Sequence, residues 1–187
     1  MLYSLTLHSN CVFVTIHTII KTKEKNMRSR RVKYITQAAM IAAIYVVLTM
    51  FISAFNLASG AIQIRLSEAL TILPLFTWAA VPGLTIGCVL ANLLTGCALW
   101  DIIFGSVATL IGALGTYAIG RKKPALGPVF PILSNALIVP LVLQKVYGLE
   151  QGYIYLLITV GIGEIISCGV LGWFLYKGLK NRRIEWQ

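Results

Sequence analysis

The residues able to do chemistry in this chain are few and set apart from one another. In the stretch Gln63-Ile64-Arg65-Leu66-Ser67-Glu68-Ala69-Leu70, both charge signs sit together inside an otherwise apolar landscape. An arginine and a glutamate three positions apart, followed by the apolar run 69–80, describe polar chemistry at the mouth of a membrane helix. At the centre of a bilayer a charged side chain costs roughly 2.5–3.5 kcal/mol on insertion scales, so such residues are retained for a partner or a ligand. Trp100 and Asp101 open a later apolar run, Asn92 and Asn135 lie in the middle of others, and Gln144 stands at the far end of the Asn135 run. Glu164 follows Tyr153 by eleven residues within one more apolar helix, too deep to snorkel to the interface. It is either neutral, paired with Arg65 or Lys145, or turned toward a ligand. Asp101, at a helix start, also suits the helix dipole and can act as a cap.

Catalysis finds no constellation here. The two histidines, His8 and His17, fall in the first 26 residues, so no Ser–His pair forms within the apolar part of the chain. An aspartyl mechanism needs two close aspartates, and Asp101 is the sole one. HExxH, a P-loop and a dinucleotide glycine fingerprint are absent. Cys11, Cys88, Cys97 and Cys168 form no CxxC and have no nearby histidine, so they read as small packing residues rather than as metal ligands. The expectation is a non-enzymatic chain without cofactor or metal.

The elements that position these residues follow from composition. Of 187 residues 58% are hydrophobic and 12% charged, with a mean hydropathy of +0.82. A soluble domain carries about 25% charged residues, so much of this surface faces lipid and the chain reads as an all-α polytopic membrane protein. Apolar runs predict six transmembrane helices, at about 34–55, 66–80, 81–99, 101–119, 127–143 and 153–176, with Pro82-Gly83 as the tight turn between the second and third. A polar hinge at 56–60 and a short extended segment at 61–64 join the first two. Fourteen of the sixteen Lys and Arg form three clusters: between Lys21 and Lys33, at Arg121-Lys122-Lys123, and after Trp173. Six helices with both termini cytoplasmic place all three inside, whereas five or seven would put one cluster outside. The anionic leaflet of the bilayer suffices as partner for the net charge of +10, and no stacking-aromatic or recognition-helix pattern points to nucleic acid. Residues 1–26 differ from the rest. They form an atypical leader, and Met27-Arg28-Ser29-Arg30-Arg31 reads as the natural start, leaving 27–187 as one membrane domain. Small residues at Ala38/Ala42 and Ala39/Ala43 let another helix approach closely.

In order and spacing, five features together resemble the QueT family: Arg65 to Leu70, the alanine-rich first helix, Pro82-Gly83 with Ala91-Asn92-Leu93-Leu94, Asp101-Ile102-Ile103-Phe104-Gly105-Ser106, and Ser134-Asn135-Ala136-Leu137-Ile138. The resemblance covers about 28–180. It implies a bacterial cell-membrane S-component of an energy-coupling factor transporter, a six-helix protein that binds a queuosine precursor from outside beneath a lid after the first helix. It also implies a transmembrane coupling subunit and two cytosolic ATPases as partners, with Ala38, Ala39, Ala42 and Ala43 as docking residues. A 7-deazaguanine offers donors at N1 and N2, which match a carboxylate, and an aminomethyl substituent adds a cation that seeks a second one. Glu68 and Glu164 lead for those roles, with Asn135 reading the O6 or N3 side and Trp100 stacking on the ring. Asp101 and Gln144 complete the set, and Arg65 holds Glu68. The competing readings are an S-component for another vitamin, such as thiamine or riboflavin, and a non-transport membrane assembly protein whose acids form structural pairs.

Overall fold

A computed structural model describes the backbone of residues 2–54, 65–148 and 150–180, with side chains from residue 27 onward. The expected hinge and extended segment at 56–64 lie outside the described residues. Two units divide the chain, residues 1–36 and 37–187, and Arg65, Glu68, Trp100, Asp101, Asn135, Gln144 and Glu164 all belong to the second. No strand occurs among the described residues.

Among the described residues six α-helices follow in order: α1 (Leu2–Ala54), α2 (Ala80–Leu94), α3 (Leu99–Gly115), α4 (Val129–Lys145), α5 (Tyr153–Glu164) and α6 (Gly172–Lys180). A 3-10 helix, Leu66–Leu75, precedes α2, and π-helical turns occupy Thr116–Gly120 after α3 and Ile165–Leu171 between α5 and α6. Among the described residues four segments are long and apolar enough to cross a membrane: Met27–Ala54, Leu99–Gly120, Pro124–Lys145 and Tyr153–Lys180. Leu66–Leu75 and Ala80–Leu94 are apolar but shorter.

Those two short helices replace the full spans expected at 66–80 and 81–99. The bend between them falls at 76–79, not at Pro82-Gly83, which sit in the first turns of α2. Proline is tolerated in a helix's first turn because the amide it lacks has no intrahelical partner there. Pro74, by contrast, lies inside the 3-10 helix near its end, where a missing N–H favours termination. The amides of Phe76 and Thr77 both return to the Leu73 carbonyl, at 2.9 and 3.1 Å, and close the turn. Thr77 Oγ1 donates to Gln37 Oε1 (3.3 Å), fixing the turn against α1.

Glycines set how closely the helices approach. A Cβ on Gly83 would stand 2.7 Å from the Ala38 carbonyl oxygen, and one on Gly87 2.9 Å from Tyr45 Cβ and 3.1 Å from Ala42 Cα. On α3, a Cβ at Gly112 would meet Pro131 Cα at 2.7 Å, which seats α3 on α4. Between these contacts lies an apolar core of Ile41, Tyr45, Leu70, Leu73, Ala80, Val81, Leu84, Cys88, Ala91 and Ala113. Leu, Ile, Val and Phe side chains on the outer faces stay exposed, among them Val47, Ile86, Ile111, Leu133 and Ile154, as a lipid-facing surface requires.

Candidate functional site

Glu68 is placed by the first turn of the 3-10 helix, and its side chain is 1% exposed. The Tyr45 hydroxyl of α1 donates to Glu68 Oε1 at 2.5 Å, and Asn135 Nδ2 of α4 donates to Oε2 at 3.4 Å. A carboxylate removed from water needs such donors, because a buried charge without hydrogen bonds is strongly disfavoured. Both donors are themselves buried.

Glu164 closes α5, and the π-helical turn that follows carries Ser167 and Cys168, all three buried. Cys168 Sγ donates to Glu164 Oε2 (3.1 Å) and stands 3.4 Å from both the Glu68 carbonyl oxygen and Thr71 Oγ1. Ser167 Oγ accepts from the Arg65 amide at 3.2 Å. One ligand atom each from Glu68, Glu164 and Cys168 lies within 4.8 Å of the others. Two carboxylates from different helices thus meet in the interior with a thiol beside them, and no ion pair neutralises them among the described residues. The arrangement suits a ligand that brings several N–H donors or a cation. A π turn widens the helix and changes which side chains share a face, and such turns recur at functional sites.

Arg65 was expected to hold Glu68. Its guanidinium interacts electrostatically with Tyr45, Asp101 and Glu68, but the hydrogen bonds to the Glu68 carboxylate come from Tyr45 and Asn135. Asp101, 5% exposed, does not cap α3; its Oδ2 accepts from the Tyr147 hydroxyl at 3.1 Å, and that hydroxyl accepts from the Ala98 amide at 3.2 Å. Trp100 is 55% exposed and stacks on Phe104, with centroids 5.9 Å apart, so it is not brought to the carboxylates. Gln144 is half-buried near the end of α4. The structure therefore gathers Glu68, Asn135 and Glu164, sets Arg65 and Asp101 in the electrostatic neighbourhood, and leaves Trp100 on the outer face.

Two contributors escaped the sequence reading. Tyr45 carries no signal, since a tyrosine in an apolar helix reads as an interfacial anchor. Cys168 reads as packing, although its i, i+4 spacing from Glu164 puts both on one helix face. Asn92, which the sequence did single out, lies buried on α2 with Nδ2 3.6 Å from Cys88 Sγ, and a Cβ on Gly105 would stand 3.3 Å from the same Nδ2.

The alanine pairs of α1 separate. Ala38 and Ala42 face α2 at Gly83 and Gly87, whereas Ala39 and Ala43 are exposed. Only the second pair is open to another chain.

The family model described as the QueT transporter matches residues 35–181. One curated relative, the queuosine precursor transporter QueT of Lactococcus lactis subsp. cremoris (strain MG1363), is 34% identical over 99 residues, 52% of this chain and 57% of the relative. The match thus spans little more than half of that relative's length. No solved structure matches.

Proposed function

This chain belongs to the QueT transporter family, and on that premise we propose that it is the membrane-embedded, substrate-binding component of an importer for a queuosine precursor, a 7-deazaguanine. The single observation that carries the reading is the meeting of the Glu68 and Glu164 carboxylates beside Asn135 in the bundle interior. The N1–H and exocyclic N2 amine of a deazaguanine present adjacent donors to one side of the ring. One carboxylate takes two of them side by side, and the second takes what remains. Because the two acids lie within 4.8 Å of each other, they serve one end of the ligand together; a division in which one reads the guanine edge and the other a distant aminomethyl group does not fit that spacing.

In this reading the chain lies in the bacterial cell membrane as a six-helix S-component with both termini cytoplasmic, the short helices Leu66–Leu75 and Ala80–Leu94 completing the count. It works with a transmembrane coupling subunit and two cytosolic ATPases, docked through the exposed Ala39 and Ala43. The lid that the resemblance implies after the first helix falls on residues 55–64, outside the described residues.

Equilibrium binding to the purified chain tests the substrate, with 7-cyano- and 7-aminomethyl-7-deazaguanine, queuine, guanine, thiamine and riboflavin as the panel. Saturable binding confined to deazaguanines is expected, and Glu164→Gln should cost about 2–5 kcal/mol of it, tens to thousands of fold. Binding of another vitamin instead, or a Glu164→Gln effect below about threefold against that same expectation, overturns the assignment.

A further inference from the structure

Away from the carboxylates, the turn 76–79 joins two aromatic–cation assemblies. On one side Trp78 meets Tyr117 edge-on, centroids 4.6 Å apart, and the Arg121 guanidinium lies over the Tyr117 ring at 5.0 Å. On the other, Phe76 packs against Tyr176 at 5.6 Å, Tyr176 stacks on Trp173 at 5.0 Å, and Lys180 Nζ lies over the Tyr176 ring at 5.9 Å. Two residues of one turn thus hold two tyrosines, and each tyrosine carries a cation. Gly120 packs on Leu75, so the end of the α3 segment sits directly against this turn.

Charge at this place is one-signed. Arg121, Lys122, Lys123, Lys177 and Lys180 are all exposed, and the described acidic residues Glu68, Asp101, Glu150 and Glu164 lie on other segments. No ion pair engages these cations among the described residues. Beside them the surface turns apolar, with Ile119, Leu126, Val129 and Phe174 exposed. Exposed cations that neighbour exposed apolar residues in the chain, two of them seated on tyrosines that pack on Trp78 and Trp173, have the chemistry of the headgroup boundary. The cation–π contacts add something a bare basic cluster lacks. They hold Arg121 and Lys180 in place before a partner arrives, so less side-chain entropy is lost on binding.

We infer that this face is a seat for an anionic phospholipid, its phosphate held by Arg121 and Lys180 from the two sides of the Phe76–Trp78 turn and its acyl chains lying along Ile119, Leu126 and Phe174. The seat does not depend on what the carboxylate site binds. A zwitterionic phospholipid offers the same chains with a compensating cation, so it binds less well. Lys122 and Lys123, which carry no ring contact, contribute only diffuse attraction.

Native mass spectrometry of the detergent-solubilised full chain, titrated with phosphatidylglycerol or phosphatidylcholine, tests the seat. Phosphatidylglycerol should remain bound in clear preference, and R121Q/K180Q should weaken it by about tenfold or more, given about fivefold for each surface cation. K122Q/K123Q, with the same change of charge, should weaken it clearly less than R121Q/K180Q does, because the attraction it loses is not directed. Should R121Q/K180Q fail to fold, Lys180→Gln alone, on the last described turn of α6, carries the comparison. Equal losses in the two double variants, or no preference for phosphatidylglycerol, overturn the seat. So does an R121Q/K180Q chain that keeps its lipid but no longer co-purifies with a protein partner, since the face would then serve that partner.

Discussion

The Tyr45 hydroxyl and the Glu68 carboxylate form a buried 2.5 Å hydrogen bond across 23 residues of sequence. It ties α1 to the 3-10 helix at the residue on which the proposed site depends. Removing the hydroxyl leaves a buried carboxylate oxygen without its donor, which costs about 1–3 kcal/mol. Tyr45→Phe should therefore lower the melting temperature by several degrees, at about 2–4 °C per kcal/mol for a domain of this size, and weaken ligand binding as well. In Glu68→Gln the same tyrosine change should cost less, because the pair acts as a unit. Equal effects in both backgrounds would sever the tyrosine from the glutamate.

Cys168 links the two acids through its 3.1 Å bond to Glu164 and its contact with the Glu68 carbonyl. A hydroxyl keeps that donor, whereas a methyl does not. Affinity for the deazaguanine should survive Cys168→Ser within about threefold and drop in Cys168→Ala by about tenfold, the worth of a hydrogen bond to a charged group at ~1.5 kcal/mol or more. A Cys168→Ala chain that binds normally shows the thiol to be mere filler.

The two alanine faces of α1 should respond oppositely. Gly87→Leu forces a side chain where a Cβ alone already meets Tyr45 Cβ at 2.9 Å, and overpacking of this kind costs about 1–3 kcal/mol or more. It should reduce the yield of folded protein. Ala39→Trp and Ala43→Trp, on exposed positions, should fold and bind ligand but block assembly with the coupling subunit. Wild-type co-purification of either tryptophan variant refutes docking through this face.

Tyr147 gives the protein an alkaline edge. The residue lies outside the spanning segments, and partial burial first, then the charge of Asp101, push its phenol above the ordinary value of 10.0, against a lowering by the Ala98 amide. A group whose folded-state pKa is raised stabilises the fold fully below its unfolded value, and that contribution is lost as pH rises through the folded one. Melting temperature should therefore fall above pH 10 as the Tyr147–Asp101 bond is lost, and Tyr147→Phe should start lower near neutrality and show a shallower alkaline decline. Parallel pH profiles for the two chains would contradict this.

The sequence by itself determined the class of protein and the rarest members of its site. Apolar runs and clustered cations specify a helical membrane chain because the bilayer demands internally bonded backbone and penalises charge, so Glu68, Asn135 and Glu164 stand out against their neighbours without any structure. Their convergence was decided only by tertiary packing. Glu68 and Glu164 are 96 positions apart, and nothing local says that a π turn after α5 sets Glu164 and Cys168 against the 3-10 helix. Packing also replaced two expected full spans with shorter helices bent at 76–79, supplied Tyr45 as a donor to Glu68 beside the charge of Arg65, and stacked an exposed Trp100 on Phe104. The four alanines of α1 look alike in sequence. Which of them meet Gly83 and Gly87 and which remain exposed depends on where α2 lies, a contact between helices that helical periodicity fixes up to rotation but not in partner.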